Sequence, residues 1–284
     1  MRWLATAVAG LLCLAPPLAA QQTFRAATHA VGLDVAVFSG DRAVASLGPD
    51  DFEVYDNGVR QTLTSVDRNV LPINLRLVFD TSGSISAADL DKHLRAMTMV
   101  TSALRPDDRY EIVTFSARIA DAAAAQTPGG TITLHRGDQQ GTSFFDAVSL
   151  AMITTPLENR RQITIVLSDA HDNVSFFDEP TLLEAARRTD AVVYAIMPIE
   201  STMAGTLLAR LETLTVLTGG RVIQAPRPDR VGRLMIAALE EFRQGYVLRY
   251  MVSGVPVPGW HKLTVQLRGN PPYTIRARQG YFGR

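Results

Sequence analysis

Leu75-Arg76-Leu77-Val78-Phe79-Asp80-Thr81-Ser82-Gly83-Ser84 is the stretch on which the reading of this chain turns. A short, nearly continuous apolar run such as Leu75–Phe79 is the signature of a strand covered on both faces, as in a parallel sheet. An Asp and two serines at alternate positions follow it. In a turn leaving a strand, Asp80, Ser82 and Ser84 can converge on one point, while Gly83 lets the backbone bend sharply around it. Such oxygens suit a hard divalent cation, Mg²⁺ above all, with Mn²⁺ or Ca²⁺ as substitutes. Three oxygens do not fill an octahedron, so the rest must come from other loops, water and a partner.

Two further loops supply candidates. Gly141-Thr142-Ser143 follows the polar stretch 136–140 and opens a helix expected over 144–154, and Asp169 follows a strand expected over Ile163–Leu167. Apolar runs at Tyr110–Phe115 and Ala191–Met197 predict equivalent strands, with a shorter one over Val222–Gln224. Helices are expected between them. Ser86 and Asp89 cap the first, which carries a stripe of Leu90, Leu94, Met97, Thr101 and Leu104; others cover roughly 180–188, 203–217 and 228–243. This alternation predicts an α/β fold with a doubly wound, mostly parallel sheet. In open sheets of this kind ligands bind beyond the carboxyl ends of the strands, at the switch point, where Asp80, Thr142 and Asp169 are expected to fall.

Asp80, Ser82, Ser84, Thr142 and Asp169, in this chain order, resemble the metal-ion-dependent adhesion site of the von Willebrand factor A fold, over roughly residues 71–243. The sequence departs from that pattern at Gln140, where a second Gly is common, and at Ala170, where Gly usually follows the Asp. The resemblance implies that Ser82, Ser84 and Thr142 contact a Mg²⁺-type ion through hydroxyls. Asp80 and Asp169 would hold it through water or by switching into direct contact. A partner's Asp or Glu would replace one exchangeable water. His171, Asp172 and Asn173 extend the Asp169 loop; one reading puts them at the border of a partner surface, the other makes them solvated loop residues.

The flanks alternate apolar and polar, as half-buried strands do: Leu33–Phe38, Phe52–Tyr55 and Val59–Val66 before the central region, then Tyr246–Val252, Lys262–Arg268 and Tyr273–Arg278 after it. Asp56-Asn57-Gly58 marks a hairpin turn. Neither flank can stand alone at its size. They are expected to form one accessory β-domain, with Val35, Val54 and Leu63 packed against Val247, Leu263 and Val265. The division is then 1–20 leader, 21–70 and 244–284 accessory strands, and 71–243 central domain. Asp51–Gly58, Asp80–Ser84, Gln244–Tyr250 and Arg276–Phe282 together look like the bacterial exported VWFA-related family. That resemblance implies fold and export and adds little on the partner.

Rival readings of the same residues each lack a part. Asp80 as a phosphotransferase nucleophile lacks the second carboxylate of a DxD motif, because Ser82 stands there. Ser82 or Ser84 as an acyl-transfer nucleophile lacks a G-x-S-x-G elbow and a clustered base. A merely capped turn explains one loop but not three. Ser143-x-x-Asp146 reads as a capping box, Asp107 and Asp108 as turn residues, and Glu53, Asp56 and Asp67 lie outside the metal-binding region.

Arg2, the apolar run Leu4–Leu14 and Leu18-Ala19-Ala20 predict an export signal cleaved before Gln21, hence a periplasmic or secreted protein. Cleavage there removes Cys13, the only cysteine, and with it disulfides and thiol metal sites. With 28 basic and 28 acidic residues and no long run of one sign, the chain lacks the basic patch of a nucleic-acid binder. No later segment reaches transmembrane length. The expectation is an exported, non-enzymatic protein-binding module for adhesion or assembly. The alternative is a structural or chaperone-like envelope component whose metal only braces loops.

Overall fold

The computed structural model describes residues 30–68, 71–83, 85–122, 125–135, 137, 141–198, 204–256 and 258–283. The expected leader and the candidate ligand Ser84 lie outside the described residues. The chain opens with β1 (Ala30–Ser39), β2 (Arg42–Ala43), β3 (Phe52–Asp56), β4 (Val59–Gln61), β5 (Leu63–Arg68) and β6 (Ile73–Asp80). Then come α1 (Ala87–Ser102), β7 (Arg109–Phe115), β8 (Ile119–Ala122), α2 (Phe144–Ile153) and β9 (Arg161–Leu167). After these follow α3 (Glu179–Arg188), β10 (Val192–Pro198), α4 (Ala204–Thr218), β11 (Val222–Ala225) and α5 (Val231–Gln244). The end is all strand: β12 (Tyr246–Met251), β13 (Gly259–Leu267), β14 (Thr274–Ala277) and β15 (Gly280–Gly283).

The central sheet has the order β11-β10-β9-β6-β7-β8 and is parallel except for the edge strand β8. All eight residues of β6 are buried. Leu75, Leu77 and Phe79 face a core shared with α1 and α5, whereas Val78 faces one shared with α2, α3 and α4. Arg76 tolerates this position because its Nε donates to Glu111 Oε2 at 2.7 Å. From β6 the chain moves outward one way to β7, then returns to lay β9, β10 and β11 on the other side. The switch point therefore lies between the carboxyl ends of β6 and β9.

The buried face of α1 is His93, Ala96, Met97, Val100 and Thr101, with Leu90 and Leu94 only half-buried. Met97, Thr101 and Leu104 of the expected stripe are buried, and His93, Ala96 and Val100 widen it. Helix α5 packs so close to this face that a methyl added at Gly232 would lie 3.1 Å from Ala96 Cα. Asp108 is no simple turn residue: fully buried, it accepts from the Ile73 N–H at 2.8 Å and pairs with Arg243 at 2.9 Å.

The two ends of the chain build two small antiparallel sheets, β14-β1-β12-β5 (with β2 on β1) and β15-β13-β3-β4. N-terminal β1 lies between C-terminal β12 and β14, and β3 pairs with β13. Val35, Val54 and Leu263 share one core with Leu33, Tyr246, Leu248 and Tyr250, and Leu63 and Val265 pack against it. Val247 does not join them. Alternation along β12 turns it to the opposite face, where it lines a cleft with Asp34 and Arg161. The hairpin turn forms as expected, with φ +46° at Asn57 and +83° at Gly58. Its second arm, expected to be unbroken over 59–66, divides after Gln61, whose buried amide exchanges two hydrogen bonds with the Ser253 backbone at 2.9 Å each. β4 stays with β3 while β5 crosses to β12 in the other sheet.

Between these sheets Asp56 is fully buried, with His261 Nδ1 at 2.7 Å and the hydroxyls of Tyr250 and Tyr281 at 3.0 and 2.7 Å. Among the described residues no helix is long and apolar enough to cross a membrane.

Candidate functional site

Three loops meet at the switch point. In the first, Thr81 is pinned to β7: its N–H and its hydroxyl both donate to the Phe115 carbonyl, at 2.7 and 3.0 Å. The Ser82 N–H folds back onto Asp80 Oδ1 at 2.8 Å, a local turn that Asp forms readily. Helix α1 begins shortly after, with Ser86 Oγ accepting from the Asp89 N–H as the capping pattern predicts.

In the second loop the Ser143 N–H and hydroxyl both donate to the Ser116 carbonyl, at 2.7 and 2.9 Å. The second of these bonds turns the Ser143 hydroxyl toward Ser116, it makes no cap bond to the helix, and the expected capping box is absent. The first N–H groups of α2 are served from the third loop instead. Phe145 N–H donates to Asp172 Oδ2 at 2.9 Å, and Asp146 N–H donates to Ser175 Oγ at 3.1 Å. Asp146 is structural in another way: its carboxylate accepts from the N–H groups of Phe176 and Phe177, at 3.0 and 2.8 Å. Thr142 and Asn173 clasp one another, Thr142 N–H to Asn173 Oδ1 at 2.8 Å and Asn173 N–H to the Thr142 carbonyl at 3.1 Å.

The third loop leaves β9. Ser168 Oγ accepts from Ala170 N–H, and Asp169 Oδ1 accepts from His171 N–H, each at 3.0 Å. Ala170 has φ +61°, a left-handed conformation that costs an L-residue about 1–2 kcal/mol and suits Gly better. Arg210 braces this turn by donating to the Ala170 carbonyl at 2.8 Å.

Asp80, Ser82, Gly83, Gly141, Thr142, Asp169, His171 and Asn173 line one cleft of about 700 Å³. Asp172 is turned toward α2 and does not line it. Burial raises the Asp80 carboxyl above its ordinary pKa; hydrogen bonds from Ser82 act against this, and the neighbouring Asp169 charge adds to it. Two carboxylates and the Ser82 and Thr142 hydroxyls make a donor set that is oxygen throughout, the type hard cations prefer. Among the described residues no three His, Cys, Asp or Glu side chains gather as a metal centre, so any cation here would depend on the hydroxyls. The bracing role of Ser116 carries no sequence signal, since it acts through its backbone carbonyl, whereas Asn173, a candidate from the sequence, both lines the cleft and holds Thr142.

A second cleft, of about 380 Å³, lies by the start of β9, but its arginines are engaged within the protein: Arg161 with Asp34 at 2.6 Å, Arg278 with Asp190 at 2.9 Å and Arg249 with Asp67.

No family model matches the sequence, and no curated protein matches it. Among solved structures the chain is similar to proximal thread matrix protein 1 from the mussel byssus, in a form with a zinc-occupied MIDAS motif. The identity is 15%, the TM-score 0.51, and the match covers 66% of this chain and 50% of that one. It is also similar to the ArnB paralog VWA2 from Sulfolobus acidocaldarius, with 10% identity, a TM-score of 0.49, and 87% and 75% of the two chains covered. A von Willebrand factor type A structure from Catenulispora acidiphila matches with 11% identity, a TM-score of 0.46, and 91% and 75% covered. The chain spans about half the length of the mussel protein. At such identities the likeness is one of fold alone, a mostly parallel α/β sheet flanked by helices.

Proposed function

We propose that this is a non-enzymatic protein-binding module that takes a Mg²⁺-type cation in the switch-point cleft and uses it to accept a partner's Asp or Glu. The observation that carries the reading is that Asp80, Ser82, Thr142 and Asp169, from three loops, line the same cleft. The Ser82 and Thr142 hydroxyls, with Ser84 by resemblance, would be direct ligands, and Asp80 and Asp169 would hold the ion through water. A bound Mg²⁺ would supply an exchangeable coordination position for the carboxylate. The chain's own part is positioning. The Ser82 N–H orients Asp80, and the Thr142–Asn173 clasp fixes one cleft wall against the other. Neutral hydroxyls leave the cation's charge less compensated than carboxylates would, which favours an incoming anion.

The alternative, a metal that only braces loops, has less to explain. The second and third loops are already tied together by Asn173, Asp172, Ser175 and Asp146. Export to the periplasm or beyond belongs to the proposal through Arg2, Leu4–Leu14 and Ala19-Ala20.

Calorimetric titration of the purified protein with Mg²⁺ and Mn²⁺ tests the cation. Weak, millimolar-range binding that disappears in Asp80→Ala is expected, because the partner's ligand is missing. If neither ion binds and Asp80→Ala leaves partner capture from envelope extract unchanged, the reading fails.

A further inference from the structure

Val174, Phe176 and Phe177 are 46%, 92% and 37% exposed. They are three of the seven exposed large apolar side chains among the described residues, and they fall within four positions of one loop. Single exposed apolar residues mean little, but a cluster beside a cleft marks an interaction surface.

This cluster is next to the cleft. Asn173, the residue before Val174, lines it. A methyl added at Gly141, on the facing wall, would come within 3.0 Å of the Val174 side chain. Phe176 is two residues further along, at most about 7 Å of chain.

The cluster is also held still. Asp146 accepts from both Phe176 N–H and Phe177 N–H, Ser175 Oγ donates to Asp172 Oδ2 at 2.5 Å, and the two rings meet edge to face with centroids 5.9 Å apart. A loop fixed in this way has little left to lose on binding, and rigid aromatic side chains are the usual anchors of protein interfaces.

We infer that Val174, Phe176 and Phe177 form an apolar clamp beside the cleft, and that the partner is an extended protein segment with an Asp or Glu and a large apolar side chain two to four residues away. The acidic half rests on the carboxylate-accepting reading above; the apolar half rests on the loop itself. Phe176 lies three residues, at most about 11 Å of chain, beyond the cleft-lining Asn173, a span that an extended strand at about 3.3 Å per residue covers in two to four steps.

The test uses an array of synthetic decapeptides, each with one central Glu and a Leu, Phe or Ser placed two, three or four residues from it. The protein is applied in Mg²⁺ and again in EDTA. In Mg²⁺ the Leu and Phe peptides should bind roughly ten- to a hundredfold more tightly than the Ser peptides. Phe176→Ser should erase that preference and leave the Ser peptides unchanged, while Phe176→Trp keeps it. Phe176 is almost fully exposed, so neither variant threatens the fold.

Equal binding of apolar and Ser peptides, a preference indifferent to Phe176→Ser, or no binding of any peptide overturns the clamp. The two halves fail separately. An apolar preference that survives EDTA and Glu→Gln in the peptide keeps the clamp and removes its acidic partner, whereas carboxylate binding that needs Mg²⁺ without apolar preference does the reverse.

Discussion

Asp56 and Asp80 are both buried carboxylates, 0% and 6% exposed, yet their surroundings are opposite. Asp56, where the two chain-end sheets meet, is surrounded by donors: His261 Nδ1 and the hydroxyls of Tyr250 and Tyr281. Burial first, and then contact with Asp56, drives both phenols well above their ordinary pKa, which keeps them protonated as donors; Tyr281 adds to the rise at Tyr250, whereas the Tyr250 hydrogen bond opposes it at Tyr281. Asp80 has the Ser82 N–H on one side and a second carboxylate, Asp169, as its charged neighbour. A satisfied buried carboxylate holds structure together, and one facing its own kind favours a cation. With the cation proposed for the cleft, the molecule would keep these two uses in separate regions.

The largest way to break this comparison is Asp56→Ala. It would remove the acceptor shared by His261 Nδ1, the buried Tyr250 hydroxyl and the half-buried Tyr281 hydroxyl, and taking one partner from such a cluster typically costs 3–5 kcal/mol. Urea unfolding at neutral pH should show a loss of about that size. A loss under about 1 kcal/mol would mean that the sheets are joined by their apolar core alone.

That core was legible in the sequence in outline, while the polar cluster was not. Alternation in Leu33–Phe38 and Tyr246–Val252 places one face of each strand inside, and the ends do pair. Asp56, His261 and Tyr281 are separated by 205 and 20 residues along the chain, and no periodicity links them. The central sheet was read best, because its strands are buried on both faces and announce themselves as apolar runs. Asp80 and Asp169 are placed for the same reason, each following an apolar strand, and Thr142 because it opens a helix. Asp146 is structural, as its pattern suggests, but its partners are the Phe176 and Phe177 N–H groups. A local S-x-x-D pattern cannot show that Ser143 is already bonded to Ser116 or that the loop over 172–177 supplies the cap.

A second, smaller effect sharpens the contrast from beneath the site. His93 is buried on α1, its ring edge-on to Phe79 with centroids 6.0 Å apart, and its Nδ1 has no hydrogen-bond partner among the described residues. Burial lowers its pKa to about 4, with Asp89 opposing and Lys92 adding to the shift. The folded pKa lies below the unfolded value near 6.5, so the neutral ring is the form that the fold accepts. This contribution to stability is complete above about pH 6.5 and is lost as pH falls toward 4, by on the order of 3 kcal/mol in full. Unfolding free energies of the native chain and His93→Leu, measured from pH 7 to 4, should diverge by that amount. Parallel curves would show that the ring is solvated when charged.

The smallest effect is the most discriminating. Asp80→Asn keeps an oxygen for the Ser82 N–H and removes the charge that burial and Asp169 both disfavour. In metal-free buffer its stability should stay within about 1 kcal/mol of the native chain, on the stabilising side, where Asp56→Asn should be clearly weakened. Addition of Mg²⁺ should then separate the two. A chain that binds the ion gains about 1.4 kcal/mol at ten times its dissociation constant, seen as a raised melting temperature. Asp56→Asn should retain that increment, since its change lies in the other region, and Asp80→Asn should lose it. If Asp80→Asn costs as much as Asp56→Asn, or if Mg²⁺ shifts both variants alike, Asp80 is a structural carboxylate like Asp56 and the two regions are not specialised in this way.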